Sequence, residues 1–179
     1  MVKSILDRMQ STKRGGAPGR SGGRPSDLLR AVDGKGQTPL HYAAAQGNWG
    51  VMAALVKAGA DPNSSDPEGS TPFHLLALSG RHELLVKFSR ELNGAVDAED
   101  TDGRTALHLA AAAGRAECLQ PLVELGLSVN HPLPPTTRLT VGATPLHLAA
   151  CEGHAECVSQ LVALGAQVCS FHPPVDRDR

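Results

Sequence analysis

The sequence predicts an all-α repeat solenoid, four helix-turn-helix units shingled along one axis. Three observations predict it. The stretch Thr144-Pro-Leu-His-Leu-Ala-Ala150 recurs as Thr38-Pro-Leu-His-Tyr-Ala-Ala44, Thr71-Pro-Phe-His-Leu-Leu-Ala77 and Thr105-Ala-Leu-His-Leu-Ala-Ala111, with starts 33, 34 and 39 residues apart. Self-similarity at that period marks a repeat architecture, because one short helix pair cannot bury its apolar face alone. A glycine stands nine residues after each Thr, at Gly47, Gly80, Gly114 and Gly153. Finally, aromatic residues make up only 3% of the chain. A stack that packs Ala, Leu and Val against its neighbours does not need more.

Each copy has one internal grammar. Thr suits a helix N-cap, and Pro at the next position costs no hydrogen bond there. A short Ala-rich helix follows, and the glycine ends it with positive φ. A second helix carries apolar pairs on one face: Val51, Met52, Leu55 and Val56; Leu84, Leu85 and Phe88, with Ser89; Cys118, Leu119, Leu122 and Val123; Cys157, Val158, Leu161 and Val162. Gly59, Gly126 and Gly165 close that helix 21 residues after the Thr, whereas Gly94 comes two places late.

These motifs, with Gly59-Ala-Asp-Pro-Asn63 at the end of the first copy, resemble the ankyrin repeat over about Asp33 to Cys169. The resemblance implies antiparallel helix pairs joined by β-hairpin fingers, in repeats of about 34–66, 67–100, 101–139 and 140–169. It implies a concave protein-binding surface formed by the fingers and the first helices. It also implies that the repeated His (His41, His74, His108, His147) braces the turn region.

In chain order, Val2, Ile5, Leu6 and Met9 fall at helical spacing. So short a segment is unstable unsupported. The plain reading is a frayed terminus; a mitochondrial presequence and a docking helix are the sharper ones. Residues 11–25 read as Gly/Ser/Arg linker, so 1–25 form a flexible basic arm. Residues 1–30 hold seven basic and two acidic residues against ten and sixteen in the remainder, a basic arm on an acidic body. Residues 26–32 read as a capping helix using Leu28, Leu29 and Val32. Trp49 opens the second helix of repeat one, where it either packs on repeat two or stands as an exposed anchor. Repeat two departs near Glu91-Leu-Asn-Gly94, so its second helix should run on. Pro121 should kink the second helix of repeat three on its outward side and weaken that repeat. Residues 131–143 form an enlarged finger with six extra residues, a binding insertion or a tolerated one. No fifth repeat covers repeat four, and 170–179 are a C-terminal tail.

The chemistry points to binding rather than catalysis. No phosphate-binding glycine loop or nucleophile elbow is present. Cys118 and Cys157 fall at core positions, where a thiolate is disfavoured. His147, Cys151, His154 and Cys157 suggest zinc by type, but the grammar gives each a separate structural place. No enzyme activity, cofactor, metal or small-molecule substrate is expected. No apolar run reaches the length of a membrane span, and without a secretory signal the four cysteines suit an intracellular protein of the cytoplasm or nucleus. Nucleic acid contacts are limited to weak ones by the arm, since no aromatic accompanies its basic residues.

The expected function is a non-enzymatic adaptor or inhibitor that holds another protein. Alternatives are a ubiquitin-ligase substrate receptor of the SOCS-box type lacking its box, and a nuclear regulator of transcription. By position the resemblance places Tyr42, Ala45, Gln46, Leu75, Leu78, Ser79, Leu109, Ala112, Ala113, Leu148, Cys151 and Glu152 on the partner surface. Asp66, Glu68, Glu99, Asp100, Asp102, Arg104, Arg138 and Leu139 border it, with Trp49 as a candidate anchor. The acids of 97–102 favour a basic partner. Asn63 and Asn130 match the asparagine that is hydroxylated in some ankyrin proteins.

Overall fold

Four helix pairs follow one another along the chain: α1 (Pro39–Gln46) and α2 (Trp49–Lys57), α3 (Pro72–Leu78) and α4 (His82–Leu92), α5 (Ala106–Ala112) and α6 (Ala116–Glu124), α7 (Pro145–Cys151) and α8 (Ala155–Ala163). A computed structural model describes residues 29–135 and 142–168. The arm, most of the capping segment, Arg138, Leu139 and the tail lie outside the described residues. Among the described residues no helix is long and apolar enough to cross a membrane.

The pairs stack in two rows. The first helices α1, α3, α5 and α7 contact one another in order, and so do the second helices α2, α4, α6 and α8. One apolar core runs between the rows. Leu40, Met52, Leu55, Phe73, Leu85, Phe88, Leu107, Leu119, Leu122 and Leu161 are fully buried in it. Of the second-helix pairs foreseen from spacing, Met52, Leu55, Leu85, Phe88, Cys118, Leu119, Leu122, Cys157 and Leu161 are buried, whereas Val162 is 48% exposed on the last helix.

The fingers are tighter than hairpins with strands. Each closes on one residue: Asp33 N–H donates to Gln37 O (3.1 Å), Asp66 N–H to Ser70 O (3.0 Å) and Asp100 N–H to Arg104 O (3.0 Å). Among the described residues no strand forms. The cause is local. The Asp66 carboxylate accepts the Glu68 and Ser70 N–H groups (3.0 and 2.9 Å), and Asp100 takes those of Asp102 and Arg104 (2.9 and 2.8 Å). Asp33 does the same for Lys35 and Gln37 (2.8 and 2.9 Å). A side chain that satisfies the turn's own donors leaves few to pair across strands.

Two further expectations change in detail. Helix α4 does run on, to 11 residues against nine for the other second helices. Its left-handed C-terminal residue is Asn93 (φ 53°), not Gly94. Gly94 is there for space, because a Cβ on it would lie 2.4 Å from the Phe88 ring. Helix α6 continues through Pro121, and Cys118, Leu119 and Leu122 remain buried. Pro121 lacks an N–H, so the Glu117 carbonyl loses its intrahelical donor on the outward side alone. In the capping segment Leu29 is buried, but Val32 is 59% exposed and covers nothing.

Candidate functional site: a groove between fingers and latches

The repeated His is what registers one repeat on the next. In repeat one His41 Nδ1 accepts the Thr38 N–H (3.2 Å), which leaves Nε2 to donate to Ser70 O of the next finger (3.0 Å). His74 does this for Ala98 O and His108 for His131 O, both at 3.0 Å. The fingers are therefore fixed side by side at the N-terminal ends of the first helices. Direct bonds add to this: Thr101 donates N–H and Oγ1–H to Glu68 O (both 3.0 Å), and Gln37 Nε2 donates to Asp66 Oδ2 (3.3 Å).

A second set of bonds lies at the C-terminal ends of the first helices, and sequence reading missed it. Arg115 Nε donates to Leu78 O and His154 Nε2 to Ala112 O, both 3.0 Å and both from one repeat to the previous one. These carbonyls are among the orphan acceptors every helix end leaves. Arg81, in the same register, lies over Gly47, where a Cβ would meet its Nε at 2.7 Å. The signal was available: Arg81, Arg115 and His154 each stand ten residues after a repeat Thr. So was the finger signal, with Asp33, Asp66 and Asp100 each five residues before one.

Between fingers and latches lies the exposed face of the first-helix row, the floor of the candidate groove. None of α1, α3, α5 and α7 contains Lys, Arg, Asp or Glu. Tyr42 and Leu78 are 40% and 42% exposed on this floor. Gln46, Cys151 and Glu152 are exposed there, and Ala45, Leu75, Ser79, Ala112, Ala113 and Leu148 are half-buried. Leu109, placed on the surface by position, is buried. The Tyr42 hydroxyl donates to Asp33, which raises the phenol and lowers the carboxyl. Its ring remains available.

The finger rim is less acidic in effect than in composition. Asp66 and Asp100 are buried (9% and 6% exposed) and hold their own turns, so neither carboxylate is offered outward. Arg104 pairs with Asp100 (2.7 Å) and reaches Asp102 (3.4 Å). Glu99 approaches His131 Nε2 at 3.3 Å, tying the enlarged finger to its neighbour. That finger is pinned at its base, Leu133 N–H to Ala143 O at 2.8 Å and Gly142 N–H to Leu133 O at 3.0 Å. Glu68 and Asp97 are exposed, and among the described residues neither pairs with a cation. Trp49 is elsewhere. It opens α2 in the outer row, half-buried, with Lys87 Nζ 4.4 Å over its ring. It packs on repeat two and is no groove anchor.

The asparagines bridge repeats. Asn63 Nδ2 donates to Asn93 O (3.2 Å) and its Oδ1 accepts Ala95 N–H (2.7 Å). Asn130 does the same with Gly165 O (3.3 Å) and Gln167 N–H (2.8 Å). An oxygenase acting on either side chain must first open that bridge.

The candidate chemical groups lie apart. His154 is a latch, His147 Nδ1 accepts Thr144 N–H (3.2 Å), Cys151 is exposed and Cys157 buried. Burial pushes the Cys118 thiol up to about 12 and raises that of Cys157, which keeps both protonated.

Burial also lowers His74, and it lowers His108 from 6.5 to about 4, with His131 beside it. Between those values the unfolded chain binds a proton that the folded chain refuses. Stability therefore falls as pH drops from about 6.5 towards 4, by up to about 3 kcal/mol from His108. Urea midpoints at pH 7 and pH 4.5 check this. The loss should shrink in His108→Gln, which has no ring to charge.

A repeat stack whose first helices carry no Lys, Arg, Asp or Glu between two polar rims is a protein-interaction module, since it offers a long shaped surface and few reactive groups. The family model described as ankyrin repeats (3 copies) matches residues 49–132 and again 90–172. The chain belongs to the ankyrin-repeat family. It is 45% identical over 47 residues to the Transient receptor potential cation channel subfamily A member 1 homolog of Caenorhabditis elegans, covering 26% of this chain and 4% of that one. It is 42% identical over 52 residues to Rabankyrin-5 of Mus musculus (29% and 4%). It is 48% identical over 44 residues to NF-kappa-B inhibitor alpha of Rattus norvegicus (25% and 14%). The chain thus spans a small part of each of these relatives.

Proposed function

We propose that the chain is a non-enzymatic adaptor or inhibitor that holds a partner protein in the groove between fingers and latches. The carrying observation is the floor itself: exposed Leu78 and Tyr42 on helices without a single charge. Isolated exposed leucines are ordinary, but an apolar strip with a polar rim is the anatomy of an interface. The exposed Glu68 and Asp97 favour a partner that presents Lys or Arg to the fingers, steering approach more than adding affinity. One relative is by name an inhibitor of NF-kappa-B, which supports the inhibitor reading.

The test is affinity capture with three chains. Leu78→Asp should lower recovery of the wild-type partner at least tenfold, about 1.4 kcal/mol or more. Glu68→Lys with Asp97→Lys should slow association and flatten its salt dependence. Lys87→Glu, on the outer row, should change neither. Equal recovery with Leu78→Asp and loss with Lys87→Glu would move the site to the other face.

A further inference from the structure

We propose that the chain's own residues 2–14 dock in this groove over repeats one and two, and so compete with the partner. The inference rests on the groove being the partner site and adds what regulates it. Two surfaces match. The candidate groove has an apolar floor at Tyr42, Leu75 and Leu78, and a finger rim where the exposed Glu68 has no cation among the described residues. The segment has Val2, Ile5, Leu6 and Met9 at one-face helical spacing, with Lys3, Arg8, Lys13 and Arg14 against a single Asp7. An amphipathic helix laid in a hydrophobic groove is a recurring recognition mode. So short a helix needs such a support to form, and the groove floor is charge-free where its apolar face would lie.

The tether makes the match effective. Leu29 is buried in the core, four residues before the first finger begins at Asp33. Residues 15–28 between it and the segment include five glycines. A Gly-rich chain of about that length has a root-mean-square span of about 20 Å by composition, and tethers of that kind give effective concentrations on the order of millimolar. A weak intrinsic match therefore suffices to occupy the near end of the groove. The charge asymmetry between arm and body then has a use: it steers the arm to its own fingers.

The experiment uses the full chain. Ile5 is replaced by photoreactive p-benzoylphenylalanine and the protein is irradiated at low concentration. The expected adducts fall on the first helices α1 (Pro39–Gln46) and α3 (Pro72–Leu78), in a band of monomer mass. Separately, a fluorescein-labelled peptide of residues 1–14 is titrated against the wild-type chain and against Leu6→Asp with Met9→Asp. Both substitutions lie outside the repeats. The variant should bind the peptide at least tenfold tighter, because its own arm no longer fills the site.

Equal affinity for both chains, binding to neither, or adducts on the outer row would overturn the proposal. A band of twice the monomer mass would give the groove to the arm of a second copy and also overturn it. The two readings fail separately. If the groove is not the partner site, Leu78→Asp leaves capture unchanged. If only the arm proposal is wrong, Leu78→Asp still removes capture while the peptide does not distinguish the chains.

Discussion

Phe88→Ala is expected to destabilise the protein by about 3–5 kcal/mol, the usual range for removing a buried ring. Phe88 is fully buried, its ring centroid 6.3 Å from that of Phe73, also buried. Gly94 approaches the same ring so closely that no Cβ fits. In a solenoid each repeat rests on its neighbours, so a defect in repeat two uncouples both sides. Urea unfolding should show an earlier transition, and circular dichroism and Trp49 fluorescence should cease to coincide. A loss below about 1 kcal/mol with coincident probes would show that this ring pair is not the centre of the stack.

Gly69→Ala should cost at least about 2 kcal/mol, from two additive causes. Gly69 has φ +76°, a conformation that costs an L-residue roughly 1–2 kcal/mol. The added Cβ would also lie 2.8 Å from Thr101 N and 3.0 Å from Asp100 Cα, backbone atoms of the next finger. The fingers must part, which opens the bonds from Thr101 to Glu68 O. Gly142→Ala separates the causes: its φ is +73° and among the described residues nothing lies within 4 Å of its Cβ position. That variant should show the backbone strain alone. Hydrogen exchange at the Thr101 amide should quicken in Gly69→Ala and stay unchanged in Gly142→Ala. Equal stabilities of the two variants would mean that finger-to-finger contact contributes nothing.

The fold was legible because every repeat solves the same burial problem with the same residues. The repeated His and the second-helix leucines sit where their spacing placed them. Asp66 and Asp100 were misplaced for a physical reason: composition counts a carboxylate as surface charge, and only a constant offset from the next Thr marks it as a turn-former. Trp49 was ambiguous because its packing depends on Lys87 in the following repeat. Leu109 and Leu78 both occupy surface positions of the grammar, yet one is buried and the other exposed. A periodic pattern fixes a residue's direction, whereas its exposure depends on the neighbour's side chain. The latches escaped notice because Arg and His share no hydrophobicity signal; what unites Arg115 and His154 is a donor at one register.

The most direct test maps the captured partner by photo-crosslinking from single sites on the chain. Partner adducts are expected from probes at Tyr42, Gln46 and Leu78 and none from Trp49, Gln120 or Glu124 on the outer row. Adducts confined to the outer-row probes, with the groove probes silent, would contradict it.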